Sequence, residues 1–148
     1  RELEGRLPSG ERRPVHPMWS RRWATRSNGV SWPVQRAAAA AYSAEGREQV
    51  RRLVDLYRGN AHLLREGVAA AGLRVWGGRH APYVWVGCPN GLSSWAFFDL
   101  LLGELAVVTT PGCGFGPGGE GYVRISGFNG RDRVEEIVSR LATLQAPA

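Results

Sequence analysis

An arginine that follows a glycine-rich stretch is the clearest candidate for binding chemistry in this chain. Residues 109–126 read TTPGCGFGPGGEGYVRIS, and the stretch ends in a short apolar strand that contains Arg124. Successive strand residues point to opposite faces of a sheet, so Val123 and Ile125 share one face and Arg124 lies on the other. In a cleft, the planar guanidinium could hold a carboxylate through two parallel hydrogen bonds, with glycines allowing close backbone approach. The simpler alternative is an arginine on the solvent face of a sheet, paired with a nearby carboxylate.

The same stretch contains a glycine pattern that is used elsewhere to bind dinucleotides. Gly114, Gly116 and Gly119 fit G-x-G-x-x-G, which in dinucleotide-binding units follows a strand and opens a helix. Here Pro117 interrupts the pattern and a strand follows it. The chain contains no lysine, so a Walker motif is also excluded. The sequence therefore argues against a nucleotide site in this loop.

Asn28 and Gly29 form a second candidate site, directly ahead of an alanine-rich segment. Asn-Gly is a turn signal, and Pro33–Tyr42 has a proline near its start followed by strong helix formers. A plain turn residue that tolerates positive φ is the simpler interpretation of Asn28.

The other residue types that can do chemistry form no recognisable site. His16, His62 and His80 have no partner in the sequence that indicates a catalytic dyad. Cys88 and Cys113 show neither metal-ligand spacing nor a disulfide framework, which favours a reducing compartment and a cytoplasmic location. No basic residue next to Cys113 indicates nucleophilic use, so we interpret it as a small, buryable residue.

A long helix is the most clearly predicted element that must position these residues. Ser43 can cap its start, Glu45 lies in its first turn, and Gly72 follows as a stop signal. Its length is roughly 28 residues, or about 42 Å. An apolar stripe recurs at three- and four-residue steps, formed by Val50, Leu53, Val54, Tyr57, Ala61, Leu64, Val68 and Ala71. Ahead of it we expect a loop or frayed hairpin over residues 1–17 and a short helix over Met18–Arg26.

Beyond Gly72 apolar residues recur at every second position, as in strands, and these strands alternate with helices. The predicted strands are Arg74–Trp76, Tyr83–Val86, Val107–Thr110 and Tyr122–Ser126. Ser93 is expected to cap a helix that buries Trp95, Phe98, Leu101, Leu102 and Leu105, and a closing helix is marked by Val134, Ile137, Val138 and Leu141. These elements predict an α/β or α+β lobe with a small mixed sheet covered on one face.

Composition limits the class of protein. At 148 residues, with 43% hydrophobic and 22% charged residues, the chain is suited to one compact core and is unlike disordered, collagen-like or disulfide-stapled chains. No apolar run suggests a membrane span, and the charged N-terminus shows no secretory signal. The net charge of +6 raises nucleic acid as a partner, but the arginines are scattered, so a solvated basic surface is favoured over a nucleic-acid site. Because the chain starts at Arg1 and its only methionine is Met18, we expect a piece of a longer protein.

Four segments carry a resemblance to a known family: NGVSWPVQRAAAAAYSAEG, APYVWV, GLSSWAFFDLLL and VVTTPGCGFGPGGEGYVRIS. Together they resemble the C-terminal part of the LL-diaminopimelate aminotransferases, pyridoxal-phosphate enzymes of the aspartate-aminotransferase fold. The resemblance runs from about Arg1 to Leu144. It implies that residues 1–42 are a connector and the end of the large domain, and that residues 43–148 are the small C-terminal domain.

The resemblance also implies roles for individual residues. Arg124 stands where the family arginine binds the α-carboxylate of the substrate. Asn28 stands where the family asparagine reaches across a homodimer to the cofactor and substrate of the neighbouring subunit. The implied substrates are diaminopimelate with tetrahydrodipicolinate and glutamate with 2-oxoglutarate, in lysine biosynthesis. Relatives usually have Lys-Phe where this chain has Arg26 and Ser27, which alters the cross-subunit loop.

The absence of lysine limits what the chain can do. Pyridoxal-phosphate transamination needs a lysine amine, and arginine cannot replace it because its guanidinium stays protonated. The family lysine is expected upstream of Arg1, so we expect this chain alone to be inactive. The alternative is a truncated, noncatalytic binding or dimer-interaction module, and an RNA-binding domain is a more distant possibility.

Overall fold

The computed structural model describes residues 4–27 and 29–144. The chain forms two compact units, Arg1–Arg47 and Glu48–Ala148. Helices and small sheets together confirm the predicted α/β class. None of the described helices combines the length and apolar character needed to cross a lipid bilayer.

The first unit consists of a hairpin and two helices. Its elements are β1 (Glu4–Arg6), β2 (Arg12–Pro14), α1 (Val15–Arg26) and α2 (Trp32–Ala40). The two strands pair antiparallel, which agrees with the frayed hairpin expected for residues 1–17. α1 begins three residues earlier than predicted, and Pro17 lies in its first turn, where a missing N–H costs no helical hydrogen bond. Neither helix has a buried residue.

The long helix α3 (Ala44–Ala70) has the start and the end that the sequence predicted. The Ser43 hydroxyl accepts a hydrogen bond from the Gly46 amide at 3.0 Å, and Gly72 has a φ of +75°. The predicted apolar stripe is buried only in its C-terminal half, at Ala61, Leu64 and Val68. The N-terminal part of the stripe is exposed, at Val50, Leu53 and Val54.

A four-stranded sheet forms the centre of the second unit. Its strands are β3 (Val75–Gly77), β4 (Tyr83–Gly87), β5 (Thr110–Pro111) and β6 (Tyr122–Ser126), in the spatial order β3-β4-β6-β5. A mixed sheet was expected, whereas the described ladders all run antiparallel. β6 has the predicted boundaries, β4 is one residue longer at its end, and β3 is shifted by one residue at both ends.

Helices α4 (Ser94–Leu105) and α5 (Arg131–Leu141) complete this unit. As predicted, Ser93 caps α4, with its hydroxyl accepting from the Ala96 amide at 3.1 Å. The face predicted to be buried in α4 was partly wrong, because Trp95 is 58% exposed and Leu102 is 42% exposed. Leu101 and Leu105 are buried as predicted, and Phe97, four residues before Leu101, completes the buried face. In α5 the expected stripe packs against the core.

The predicted strand over Val107–Thr110 was wrong for most of its length. The Val107 amide bonds to the Leu101 carbonyl, which continues the end of α4 instead of starting a ladder. Only Thr110 and Pro111 pair with β6, and proline has no N–H to extend the ladder.

The core lies on one face of the sheet. Val84 and Val86 of β4 and Val123 and Ile125 of β6 are buried in the same cluster as residues of α3, α4 and α5. The alternate residues of these strands, which include Arg124, therefore occupy the other face.

Candidate carboxylate-binding site

Strand register brings aromatic residues next to Arg124 on the face away from the core. Trp85 lies opposite Arg124 on β4, Trp76 lies opposite Trp85 on β3, and Thr110 lies opposite Arg124 on β5. The period of two places Tyr83 on the same side of β4 as Trp85. Arg124 is thus the cation in a row of four residues that crosses the sheet, two of which are tryptophans.

The Arg124 side chain is half-buried and is held by two rings. Its Cζ atom lies 4.3 Å from the centroid of the Tyr83 ring and 4.4 Å from that of Phe115. Such contacts between a cation and an aromatic face are worth about 0.5–2 kcal/mol, and more when water is excluded. They fix the guanidinium without using any of its N–H groups.

The hydrogen-bonding capacity of Arg124 is unused by the described part of the chain. Its Nε is buried and has no hydrogen-bond partner there. Within the same residues, no carboxylate forms an ion pair with Arg124, although several other arginines have such partners. A solvent-facing arginine paired with a carboxylate, the simpler alternative from sequence, is therefore not what the geometry shows.

The glycine-rich loop is folded back on itself and places Phe115 over Arg124. Its two short 3-10 turns are Gly112–Phe115 and Pro117–Gly119. Gly112 and Gly119 touch through their backbones, and a Cβ at either position would overlap the other residue. These two glycines therefore serve close approach between parts of the loop, whereas the sequence had suggested approach to a ligand.

A cavity of about 520 Å³ lies against two neighbours of Arg124. Trp85 and Phe115 line this cavity, and their rings meet edge-to-face at 5.3 Å. Phe115 therefore contacts the guanidinium and also lines the cavity. Because the loop leads into β6 and not into a helix, it does not form the helix N-terminus that a dinucleotide site requires.

The far end of β6 is fixed by a buried amide that the sequence did not reveal. Asn60 is fully buried in α3, and its Nδ2 donates to the Gly127 carbonyl at 3.1 Å and the Asn129 carbonyl at 2.9 Å. Between these carbonyls lies Phe128, whose ring packs edge-to-face on Tyr83 at 5.5 Å. Asn60 thus supports the ring that contacts Arg124.

The remaining candidate side chains do not join this site. His62 has a partner that the sequence analysis missed, since its Nδ1 lies 3.4 Å from Glu66 Oε2, but both side chains are mostly exposed. Burial, together with the charge of Glu120, raises the pKa of the Cys88 thiol to about 11. No cluster of His, Cys, Asp or Glu in residues 4–27 and 29–144 could hold a metal ion. Asn28 lies outside the described residues.

Comparison with known proteins assigns the family. The model of the class I and II aminotransferases matches residues 19–141. The chain belongs to this family. It is 48% identical over 142 residues to an LL-diaminopimelate aminotransferase of Prochlorococcus marinus (strain MIT 9211), a match that covers 96% of this chain and 35% of the relative. The resemblance expected from the four sequence segments is thereby confirmed.

Two further aminotransferases extend the comparison. An LL-diaminopimelate aminotransferase of Bacteroides fragilis (strain YCH46) is 48% identical over 141 residues, covering 95% of this chain and 34% of the relative. The solved L,L-diaminopimelate aminotransferase from Chlamydomonas reinhardtii superposes with a TM-score of 0.80 at 41% identity, covering 91% of this chain and 32% of that one. The chain spans about a third of the length of the curated relatives it matches.

The family cofactor is pyridoxal 5'-phosphate, which these enzymes bind through a lysine amine. The residues of this chain do not fit that attachment, because none of its 148 residues is lysine. What the chain offers is a guanidinium with unused donors beside aromatic rings, which is suited to the acidic end of a small metabolite.

Proposed function

We propose that this chain is the part of an amino-acid aminotransferase that binds the α-carboxylate of the substrate. In this proposal the complete enzyme transfers an amino group between LL-diaminopimelate and a keto acid. The observation that supports it is the state of Arg124, whose guanidinium is held by Tyr83 and Phe115 while its Nε has no partner among the described residues.

The free energy of burying that donor favours a ligand over a purely structural role. A buried N–H without a partner costs about 1–3 kcal/mol, so a structure gains stability when an acceptor arrives. A carboxylate offers two acceptor oxygens in the plane of the guanidinium, and charge-assisted hydrogen bonds of this kind are about twice as strong as neutral ones. The Tyr83 and Phe115 rings contact the guanidinium without accepting a conventional hydrogen bond, so its N–H groups are not used by these two contacts.

The rest of the proposal depends on the resemblance to complete relatives. We infer that tetrahydrodipicolinate, glutamate and 2-oxoglutarate are the reaction partners, and that the enzyme is a cytoplasmic homodimer. Asn28 would reach the cofactor and substrate of the neighbouring subunit, and residues 43–148 would form the small domain. The amine that binds pyridoxal phosphate and moves the proton would come from a lysine outside this chain, because arginine cannot form the imine.

A second candidate function is favoured by the missing lysine. A chain that occurs only as these 148 residues would be a noncatalytic binding or dimer-interaction module. The reading frame ahead of the codon for Arg1 distinguishes the two candidates. A lysine-containing aminotransferase segment in frame supports the first, and a stop codon supports the second.

The test uses a hybrid enzyme, defined as the Bacteroides fragilis relative with its matched segment replaced by this chain. Arg124→Ala in this hybrid should lower kcat/KM for LL-diaminopimelate about a hundredfold, corresponding to roughly 3 kcal/mol for a lost bidentate charged contact. Arg124→Lys keeps the positive charge but loses the forked arrangement of donors. Its kcat/KM should therefore lie between that of the unchanged hybrid and that of Arg124→Ala.

A substrate without carboxylates provides the control. The slow reaction of 1,5-diaminopentane, which is diaminopimelate without its two carboxylates, should change less than about threefold in Arg124→Ala. An effect below about threefold on diaminopimelate itself would mean that Arg124 does not bind the substrate. Equal losses with both compounds would mean that the arginine only supports the fold.

A further inference from the structure

We propose that Ser94 and Glu120 are positioning residues that hold Arg124 and Phe115 in the geometry needed to bind a carboxylate. This inference rests on the proposed function of Arg124. It concerns the other end of β6 from Asn60, where the glycine-rich loop meets the start of α4.

Three hydrogen bonds tie successive loop residues to a single serine. The Ser94 hydroxyl donates to the Gly119 carbonyl at 3.3 Å and accepts from the Gly121 amide at 3.1 Å. The Ser94 amide donates to Glu120 Oε1 at 2.9 Å. Residues 119–121 are therefore bound, one after another, to the first residue of α4.

Ser94 can hold the loop in place because it lies in the core at the start of α4. Ser94 is fully buried, and α4 is fixed in the core by Phe97 and Leu101. The amides in the first turn of a helix lack helical acceptors and carry partial positive charge, so the Glu120 carboxylate is favoured there. Removing the buried hydroxyl would leave the Gly121 amide without this acceptor. Because Ser94 is fully buried, the loss of this hydrogen bond would be costly.

Gly121 and Gly119, the two residues that the Ser94 hydroxyl binds, each connect Ser94 to the surroundings of Arg124. On one side, the Gly121 carbonyl accepts from the Cys88 amide at 2.9 Å, and β6 begins at the next residue. On the other side, Gly119 packs against Gly112, which closes the loop that carries Phe115. A shift of Ser94 would change the position of the Phe115 ring relative to the guanidinium.

The chain contains a matched control in the neighbouring residue. Ser93 is exposed and caps the same helix, with its hydroxyl accepting from the Ala96 amide at 3.1 Å. Its hydroxyl has no described bond to the loop. Ser93→Ala therefore weakens the start of α4, as loss of an N-cap does, but leaves residues 119–121 in place.

The test compares four variants in the hybrid holoenzyme: Ser94→Ala, Ser93→Ala, Glu120→Ala and Glu120→Gln. Misplacement of a binding group by an ångström can cost about a hundredfold in rate. We expect Ser94→Ala and Glu120→Ala to lower kcat/KM for LL-diaminopimelate about 10- to 100-fold, mainly by raising KM, and to change the reaction of 1,5-diaminopentane less than about threefold. Ser93→Ala should stay within about threefold for both compounds.

Glu120→Gln separates positioning from a general loss of structure. Its amide oxygen can still accept from the Ser94 amide, so it should restore kcat/KM to within about threefold of the unchanged hybrid. If Ser94→Ala does not fold, the Glu120→Ala and Glu120→Gln pair still carries the test.

Three results would overturn the inference: equal effects of Ser94→Ala and Ser93→Ala, equal losses with both compounds, or a Gln variant as poor as the Ala variant. These results are distinguishable from failure of the proposed function, which would appear as an Arg124→Ala variant whose kcat/KM for LL-diaminopimelate changes by less than about threefold.

Discussion

Replacing Gly112 by alanine tests the folded loop that carries Phe115. A Cβ at Gly112 would lie 2.7 Å from the Tyr122 carbonyl oxygen and closer still to that of Gly119. Real Cβ atoms essentially never come within 3.0 Å of heavy atoms beyond their own residue and its chain neighbours, so one side of the loop would have to move. Both neighbours are backbone atoms, and therefore no side-chain rotation can relieve the overlap.

The expected loss in the free energy of unfolding of Gly112→Ala follows from the rigidity of this backbone contact. Overpacking in a well-packed region typically costs about 1–3 kcal/mol, and an overlap with hydrogen-bonded backbone belongs at the upper end. With a urea m-value of about 2 kcal/mol/M, a loss of about 3 kcal/mol lowers the unfolding midpoint by roughly 1.5 M. The assay is urea unfolding of the chain, followed by tryptophan fluorescence.

Two glycines in the same loop serve as controls. A Cβ at Gly114 or at Gly118 would have no other atom within 4 Å, and neither residue has a positive φ. Gly114→Ala and Gly118→Ala should change the free energy of unfolding by less than about 0.5 kcal/mol. If Gly112→Ala and Gly114→Ala shift the midpoint equally, the close backbone contact between Gly112 and Gly119 does not restrict residue 112 to glycine.

Two further predictions concern other parts of the second unit. Ala106 ends α4 with a φ of 50°, so Ala106→Gly should stabilise the chain by about 0.5–1 kcal/mol in urea unfolding. Ala142, at the end of α5, has right-handed helical backbone angles, so Ala142→Gly should destabilise the chain. Changes of the same sign in the free energy of unfolding of the two variants would contradict this prediction. The pKa of Cys88 is raised from 9.0 to about 11, so the unfolded thiol ionises first and the free energy of unfolding should fall as pH rises from about 9 to about 11. Cys88→Ala should remove that part of the slope in a urea series across this range, and an unchanged slope would contradict a buried neutral thiol.

Local signals in the sequence predicted the elements that frame the site. Ser43 and Ser93 cap helices where their positions suggested, because N-capping depends on a side chain and amides only three residues apart. The boundaries of β6 followed from an alternation that involves only neighbouring residues.

Features that depend on long-range contacts were not predictable. Nearly every residue in the middle of α4 is apolar, so periodicity could not distinguish the face of Phe97 from that of Trp95. The rings of Tyr83 and Phe115 come from a strand and a loop that meet Arg124 only in the folded sheet. Asn60 is 67 residues from the carbonyl of Gly127 that it binds, and nothing in its neighbourhood signals that contact.

The most direct measurement of the central claim is a crystal structure of the hybrid enzyme with 2-oxoglutarate bound. Both oxygens of the α-carboxylate should lie about 2.7–2.9 Å from nitrogens of the Arg124 guanidinium, with Tyr83 and Phe115 still against it. A carboxylate bound by other residues, with the Arg124 guanidinium turned away from it, would mean that Arg124 is not the carboxylate-binding residue.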